Sequence, residues 1–569
     1  MADNKGISII FPNGSYDRCR TLSDTAIHDL GLDVICNGLS NKEKEQSLIL
    51  GIMSKITDDP EVVQFRLDVF DDIYRNPAFR EKMLGILDKI EFLKDFGSFR
   101  RDNEESSGTW DLLHRLEEIR DYIGYVEALQ QCLSDSSLKS RGLKELKERI
   151  DGIYNDSSFE DLKKDIANLK ASTSNLKSVT LGVNLNERFE AKEIGLISVN
   201  SKAFSKSTIL ENFGSKIIRK DSINPGTDWD GSMRFQAFST GEGGQNFMEG
   251  MARARMMIEN PILTMAMVPD GDMGKDVTSH MDRITDHMLG KTMKAVKEVL
   301  GKYVGLSIMN ITALIPEFLY YVRWAEFIKR QQDKGFVFCK ATLIPSGKVR
   351  MKAKGFYNMR LSCAVDQIVD NDLDFDCEKN LYILTGANRG GKTTVTQAIG
   401  LLHVLAQGGI FVPAKEFSFT PADCIFTHYP ADEDKTLDFG RLGEECNRFR
   451  ELFGQCTENS LLLLNETFST TSFEEGFFIA KDAVRAILKK GTRCIYNTHM
   501  HKLAQDLDSL NEESAKEGAT YRAASLVALS DGGQRSFKVK VAPPQGMSYA
   551  QDIARKYGVT YDMLINKEE

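Results

Sequence analysis

The chain has 569 residues, of which 41% are hydrophobic and 27% charged, and its formal net charge is −9. This composition is typical of a folded globular protein and too apolar for a disordered one. The acidic balance argues against a histone-like, strongly cationic nucleic-acid binder, although a local basic surface is compatible with it. At roughly 150 residues per domain, the length predicts three or four domains.

The ten cysteines indicate a reducing compartment. They are scattered along the chain without a CxxC pair, so the spacing matches neither a zinc ribbon nor a small disulfide scaffold. The first residues contain no apolar stretch long enough for a signal peptide, and no window approaches 18 uncharged apolar residues. We therefore expect a cytoplasmic protein with no membrane contact.

The N-terminal part of the chain predicts a helical bundle. Apolar residues recur at every third or fourth position, which marks one helical face. The clearest run is Val62, Phe65, Val69 and Ile73. Pro60 suits the first turn of this helix, and Asn76-Pro77 ends it before a second helix over 78–96.

Two further features follow the N-terminal helices in the sequence: a pair of short strands and a long apolar stripe. Residues 179–183 and 194–199 read as short strands, which predicts a small insertion. An apolar stripe over 272–334 predicts a helix of sixty-odd residues that Pro316 must kink or break. The alternative is two bundle helices joined near Gly301 or Gly305.

After Gly335 strands alternate with helices, as in an α/β domain, and one motif there is specific. Residues 386–393 satisfy G-x-x-x-x-G-K-[ST] between an apolar strand and a helix, the setting that a phosphate-binding loop requires. Lys392 would neutralise the β- and γ-phosphate oxygens, and the Thr393 hydroxyl would ligate Mg²⁺. The residues expected to hold the nucleotide are Gly386, Ala387, Asn388, Arg389, Gly390, Gly391, Lys392, Thr393 and Thr394.

A second apolar strand, 460–464, ends in Asn465-Glu466, where a P-loop ATPase places its Walker B carboxylates. Glu466 is the candidate to orient or deprotonate the attacking water. Asn465 stands in place of the usual Asp, so a neutral amide oxygen would act on Mg²⁺ through water. We expect weaker metal binding or slower hydrolysis as a result.

A third strand, 493–496, leads to His499, which we expect to sense the γ-phosphate. Recognition of the adenine base is open at this stage. Phe356 or Tyr357 lies upstream of the P-loop, where a stacking aromatic would be useful, but packing in the domain core explains both residues equally well.

These motifs, in this order, resemble the ATPase domain of the MutS family, a DNA-repair branch of the ABC-type ATPases. Residues 385–394 are similar to the family's TG-x-N-x-GGK-[ST]-T, and 406–414 resemble its AQ-x-G-x-x-VPA segment. Weaker likenesses occur at Asn371-Asp372, 497–503, Ser548-Tyr549 and, in the helical part, 56–72.

The resemblance implies a multidomain, mostly α-helical protein with a C-terminal P-loop ATPase domain. The expected organisation is an N-terminal segment (1–20), a helical core (21–170), a small α+β clamp-like insertion (171–245), a helical core and lever helix (246–335) and the ATPase domain with a C-terminal helical segment (336–569). It also implies ATP and Mg²⁺ as cofactors, a homodimer that sandwiches nucleotide, and DNA as the partner.

Three departures from the family pattern bear on function. The chain begins in the helical core, so we expect no mismatch-reading domain, and recognition of branched or distorted DNA rather than of mismatch identity. The signature loop, 440–445, keeps Glu445 but lacks serines, and Arg441 is a candidate electrostatic substitute. The segment after Glu466 lacks the usual glycines.

Two functions from different classes fit these observations. The first is an ATP-hydrolysing, DNA-binding clamp in repair or recombination. The alternative is a nucleotide-switched protein-interaction module with weak hydrolysis and no direct role on DNA, which Asn465 and the altered signature loop motivate. Hydrolysis that DNA stimulates would exclude the alternative.

Overall fold

A computed structural model of the chain describes most of the helical region and nearly all of the α/β region. The described residues are 8–12, 19–89, 109–134, 137–173, 178–185, 191–200, 236–237, 314–345, 349–376, 378–386, 390–430, 440–531, 534–544, 555 and 557–565. Elements are numbered in chain order within these ranges.

The chain divides into two compact units. The first comprises Met1–Lys89, Leu129–Ile150 and Met309–Glu569, and it contains the α/β region together with part of the helical region. The second comprises Ile90–Ala128 and Asp151–Ile308. The five segments expected from the sequence stay predictions.

The N-terminal region is helical, as the sequence predicts. Its helices are α1 (Asp24–Leu30), α2 (Leu32–Leu39), α3 (Glu43–Met53), α4 (Pro60–Arg75), α5 (Pro77–Lys89), α6 (Thr109–Ser134), α7 (Arg141–Tyr154) and α8 (Ser157–Thr173). Two short strands, β1 (Arg20–Thr21) and β2 (Lys55–Ile56), pair antiparallel within it.

Helix α4 shows why the local sequence folds in this way. The Asp59 side chain accepts a hydrogen bond from the Glu61 N–H at 2.9 Å and so caps the first turn, where Pro60 needs no donor. Phe65, Val69 and Ile73 are buried along one face. Only Asn76 separates α4 from α5, because Pro77 is the first residue of the second helix. The described part of α5 ends at 89, so the predicted extension to 96 lies outside it.

The predicted insertion contains the two expected strands. They are β3 (Ser178–Leu185) and β4 (Ala191–Asn200), which pair antiparallel, and β5 (Gln236–Ala237) pairs with the other edge of β4. Apart from 171–173, which end α8, the rest of 171–245 lies outside the described residues.

Only the last part of the long apolar stripe is described, as helix α9 (Leu314–Asp333). Pro316 is its third residue, and 272–313 lie outside the described residues, so the predicted lever helix stays a prediction. Trp324, Tyr320 and Phe318 are fully buried. Neither α9 nor any other described helix combines the length and the apolar character needed to cross a membrane.

The α/β region contains two sheets. Its strands are β6 (Thr342–Leu343), β7 (Val349–Phe356), β8 (Asn371–Asp376), β9 (Lys379–Gly386), β10 (Glu416–Phe419), β11 (Ile425–His428), β12 (Leu461–Asn465), β13 (Arg493–Asn497), β14 (Arg522–Asp531) and β15 (Gln534–Val541). The larger sheet has the order β11-β12-β13-β9-β14-β15 and is parallel except for β15. The smaller has the order β6-β10-β7-β8.

Seven helices accompany these sheets among the described residues. They are α10 (Met359–Ser362), α11 (Lys392–Gln407), α12 (Gly440–Gln455), α13 (Phe473–Lys490), α14 (His501–Gln505), α15 (Leu507–Lys516) and α16 (Tyr561–Ile565). Strand β12 is buried along its whole length, which is why it reads as a run of four leucines. Leu462 and Leu464 pack in the cluster that includes Val484 and Ile487 of α13.

The other face of the sheet is covered by α11, which is buried almost all round because helices of the N-terminal region pack on its outer side. Its last residue, Gln407, makes the principal polar contact there. The Gln407 Nε2 donates to the Thr57 and Ala422 carbonyls, both at 2.7 Å, and its Oε1 accepts from the Ala422 N–H at 3.1 Å. The fully buried Arg66 donates to the Gln407 carbonyl at 2.8 Å.

These contacts explain the AQ-x-G-x-x-VPA segment. A side chain at Gly409 would meet the backbone of Arg66 at 2.8 Å, and Gly409 has φ +84°, so only glycine fits the position. Gln407 and Gly409 together join the N-terminal helices to the sheet.

We predict that Gln407→Leu destabilises the protein by about 2–4 kcal/mol, because it removes three hydrogen bonds and leaves buried carbonyls and an N–H without partners. Urea denaturation followed by circular dichroism measures the change. Gln455→Leu, at an exposed position on α12, is the matched control and should change the unfolding free energy by less than about 0.5 kcal/mol. Equal effects of the two substitutions would contradict this role of Gln407.

Candidate nucleotide-binding site

The candidate site lies at the carboxyl ends of three neighbouring parallel strands. Gly386 ends β9, Asn465 ends β12 and Asn497 ends β13. The register pairs Asn465 with Asn497 directly, and Asn497 with Leu384 of β9. In open α/β sheets, ligands bind at this edge.

The glycine-rich loop runs from β9 to α11. Gly386 has φ +138°, and a side chain there would meet Ala528 of β14 at 2.8 Å. Gly391 has φ +88° and directly precedes the first turn of α11, whose backbone N–H groups face the loop. Ala387, Asn388 and Arg389 lie outside the described residues, so their expected contacts with phosphate stay predictions.

Lys392 is the first residue of α11 and is 5% exposed. Its Nζ donates to the Gly386 carbonyl at 3.1 Å, which places the ammonium group inside the loop. Burial lowers the pKa of Lys392, and the negative charge of Glu466 opposes that effect. Beside it, the Thr394 carbonyl accepts from Asn358 Nδ2 at 3.0 Å, so the first turn of α11 is held from both sides.

Glu466 and His499 are in direct contact. The His499 Nε2 lies 2.9 Å from Glu466 Oε1, and the His499 backbone N–H donates to Oε2 at 3.1 Å. The His499 side chain is 49% exposed and the Glu466 side chain 18% exposed. Glu466 has φ +52°, a conformation that non-glycine residues rarely adopt, and its N–H donates to the Asn497 carbonyl at 2.9 Å.

The loop after Glu466 is held by a buried carboxylate. Glu445 of α12 accepts from the Phe468 N–H at 2.7 Å and from the Thr470 hydroxyl at 2.6 Å. Phe468 has φ +65°, so these bonds stabilise a second left-handed residue in the segment after Glu466. The side chain of Arg441 lies outside the described residues, and its predicted electrostatic role stays a prediction.

Thr393, Asn465 and Asn497 form a hydrogen-bonded cluster at the base of the site. The Thr393 hydroxyl donates to Asn465 Oδ1 at 2.9 Å. The Asn497 Nδ2 donates to the same oxygen, and it lies 3.3 Å from Thr393 Oγ1. Asn497 was not among the residues that the sequence singled out, because its position matters only when β12 and β13 are side by side.

A cavity of about 1000 Å³ opens beside the loop. Its lining includes Gly391, Lys392 and Thr393 with Glu466 and His499. Apolar side chains that are unusually exposed line it as well. These are Leu361, Val365, Val369 and Phe537, each between 36% and 46% exposed.

The two aromatics considered from the sequence also border this cavity, but both are core residues. Phe356 is fully buried. Tyr357 is 6% exposed, its hydroxyl donates to the Val337 carbonyl at 3.1 Å, and its ring packs against Phe336 and Phe338. The structure therefore favours the packing interpretation for both residues.

The exposed aromatic of the cavity is Phe537 of β15, which sequence reasoning missed. Its φ is +55°, and its ring would lie 3.5 Å from a side chain placed at Gly391. Asn371 holds this bend in the strand: its Nδ2 donates to the Phe537 carbonyl at 3.2 Å, and its Oδ1 accepts from the Val539 N–H at 2.7 Å. The conformation depends on contact between β8 and β15, and no local pattern signals it.

A buried parallel sheet, a glycine loop that leads into a helix N-terminus, and polar residues on the adjacent strand ends define the class of P-loop domains. The comparisons with known proteins agree with this class. A family model of MutS domain V matches residues 382–558, and a model of the MutS2 N-terminal domain matches residues 58–220. The resemblance to the MutS family is thereby confirmed.

Curated relatives carry the same family name. The DNA mismatch repair protein MutS of Chlorobium chlorochromatii is 32% identical over 211 residues, which are 37% of this chain and 23% of that protein. The protein of that name from Methanococcoides burtonii is 31% identical over 206 residues, 35% of this chain and 22% of the relative. That of Thermotoga sp. is 28% identical over 219 residues, 38% and 26% respectively. The chain spans about a quarter of the length of these relatives.

Proposed function

We propose that this chain binds and hydrolyses ATP and acts as a homodimeric DNA-binding clamp in DNA repair or recombination. The observation that carries the proposal is the convergence of Lys392, Thr393, Glu466 and His499 on one cavity at the carboxyl edge of the sheet. The similarity to MutS domain V over the same residues supports it.

The residues at the base of the cavity fit a magnesium-bound triphosphate. Oxygen donors are the ligands that Mg²⁺ prefers, and Thr393 and Asn465 supply a hydroxyl and an amide oxygen next to Lys392. These two residues would hold the ion, Thr393 directly. When bound, Mg²⁺ supplies charge neutralisation at the transferred phosphate. Lys392 binds the phosphates, and the N-terminus of α11 adds positive potential.

Glu466 and His499 have different roles in hydrolysis. Glu466 orients a water molecule and accepts its proton. His499 holds both carboxylate oxygens of Glu466, so it fixes the direction in which the carboxylate acts. Asn465 contributes no negative charge to this arrangement, which supports slow hydrolysis.

Phe537 is our candidate for the residue that stacks on the adenine base. Its ring is exposed in the cavity next to Gly391, and Leu361 and Val365 line the same cavity. The left-handed backbone at Phe537 stores strain that two hydrogen bonds from Asn371 offset, and strain of this kind concentrates at functional sites.

The DNA part of the proposal rests on the family likeness. The relatives named DNA mismatch repair protein MutS and the match to the MutS2 N-terminal domain over 58–220 support it. Phosphate contacts fix a protein on a duplex without reading base identity, so we propose that the clamp recognises branched or distorted DNA. A second copy of the chain would close over the nucleotide.

We predict that Glu466→Gln lowers ATP hydrolysis by about 10² to 10⁴-fold, because the water loses its proton acceptor, and leaves ATP bound. Asn465→Asp should raise the rate, because it restores a carboxylate. Phosphate release and fluorescent-ATP titration measure the two quantities. Glu474→Gln, at an exposed position on α13, is the control and should hydrolyse at the parental rate. Unchanged hydrolysis in Glu466→Gln would mean that another group activates the water.

Phe537→Ala should weaken ATP binding roughly 5- to 100-fold, the range expected for loss of one base–aromatic stack. Binding of inorganic tripolyphosphate, which has no base, should be unaffected, and Phe537→Tyr should keep the ATP affinity. Isothermal titration calorimetry with both ligands makes the comparison.

Phe473→Ala is the matched control for Phe537→Ala, because Phe473 is similarly exposed, at 53%, but does not line the cavity. Equal losses of ATP and tripolyphosphate affinity in Phe537→Ala would show damage to the loop and contradict stacking.

For the DNA proposal, we predict tighter binding to a four-way junction than to a mismatched or plain duplex of equal length. The logarithm of the affinity should fall linearly with the logarithm of the salt concentration, by about 0.9 for each phosphate contact. Fluorescence anisotropy over a salt series, with ATP and Mg²⁺ present, provides the measurement. Absence of binding to all three DNAs, together with hydrolysis that DNA does not change, would favour the protein-interaction alternative.

A further inference from the structure

Asn465 and Asn497 stand side by side at the ends of two parallel strands, where they share one hydrogen-bonded cluster with Thr393. Asn465 is 8% exposed and Asn497 is fully buried. Neither amide carries a charge, so the stability of the cluster depends on whether each hydrogen-bond donor meets an acceptor.

The single carbonyl oxygen of Asn465 is already saturated. An amide oxygen accepts two hydrogen bonds, and Asn465 Oδ1 receives one from the Thr393 hydroxyl and one from Asn497 Nδ2. A carboxylate at this position would have a second oxygen with two further lone pairs. Asn465 has an NH₂ group instead, which can only donate.

The missing acceptor is present on the neighbouring strand. Asn497 Oδ1 is buried and has no hydrogen-bond partner among the described residues. A buried carbonyl without a partner costs free energy unless a ligand or a water supplies the donor. The same amide donates through Nδ2 to Asn465 Oδ1, and that nitrogen lies 3.3 Å from the hydroxyl of Thr393, the residue that would ligate the metal.

We propose that Asn497 is a positioning residue for the metal, and that its Oδ1 accepts a hydrogen bond from a water of the hydration shell of Mg²⁺. Asn465 and Asn497 together then replace the one carboxylate of an ordinary Walker B strand: Asn465 fixes the Thr393 hydroxyl, and Asn497 holds the water. This inference rests on the proposed function, and it reassigns the water-mediated contact that the sequence placed on Asn465.

The test is a double-mutant cycle that measures the Mg²⁺ concentration for half-maximal binding of a fluorescent, non-hydrolysable ATP analogue. Asn497→Ala should raise that concentration about tenfold, the lower end of the effect of removing an outer-shell partner of a metal. In an Asn465→Asp background, where a second carboxylate oxygen takes the water, the same substitution should change it less than about twofold.

Binding of the same analogue in EDTA separates positioning from structural damage. Asn497→Ala removes the outer-shell acceptor and also the Nδ2 donor to Asn465. The Asn497 side chain does not line the cavity, so the metal-free affinity should stay within about twofold of the parent. Asn497→Asp keeps the size and replaces the Nδ2 donor to Asn465 by a second oxygen that shares a negative charge. The added charge beside the metal should lower the half-saturating Mg²⁺ concentration at least about threefold.

Each remaining outcome is decisive. Equal losses with Mg²⁺ and with EDTA in Asn497→Ala, or an unchanged Mg²⁺ requirement in both Asn497 variants, would overturn the role of Asn497 while the proposed function stands. Absence of analogue binding by the parent protein, with or without Mg²⁺, would instead refute the proposed function itself.

Discussion

The site depends on one constraint: parallel strands buried on both faces can carry polar side chains only where they end. Strands β9, β12 and β13 are neighbours in the sheet, and their middle residues are leucine, isoleucine, tyrosine and cysteine. Asn465 and Asn497 end their strands as a direct pair, and Asn497 pairs with Leu384, two residues before Gly386. Because the register aligns these ends, residues more than 100 positions apart in the chain meet within hydrogen-bonding distance.

Features that local sequence encodes were predicted well. The three apolar strands and the start of α11 after the glycine motif follow from short patterns whose periodicity and glycines leave few alternatives. The roles given to Glu466 and His499 stay predictions. The helix that begins at Pro60 was predicted for the same reason: its cap, proline and apolar face lie within sixteen residues.

Features that depend on strand neighbours could not be predicted in this way. Asn497 reaches Asn465 only because β12 and β13 are paired in this register. Phe537 is held in position by its hydrogen bond with Asn371, and Glu445 contributes through its bonds to the loop at 468–470. Phe356 and Tyr357 were plausible stacking residues in the sequence because burial is invisible there. The site thus divides into a local part that its motifs encode and a tertiary part that only the packed structure reveals.

Helix α11 connects the candidate site to the N-terminal helices. Its 16 residues make a rod of about 24 Å, with Lys392 of the glycine-rich motif at one end and Gln407 at the other. At that far end Gln407 is bonded to Thr57, and Arg66 is bonded back to Gln407. A rod that is clamped in this way cannot slide past the N-terminal helices it touches. The hydrogen bonds at Gln407 therefore couple any displacement of α11 along its axis to Thr57 and Arg66 of the N-terminal region.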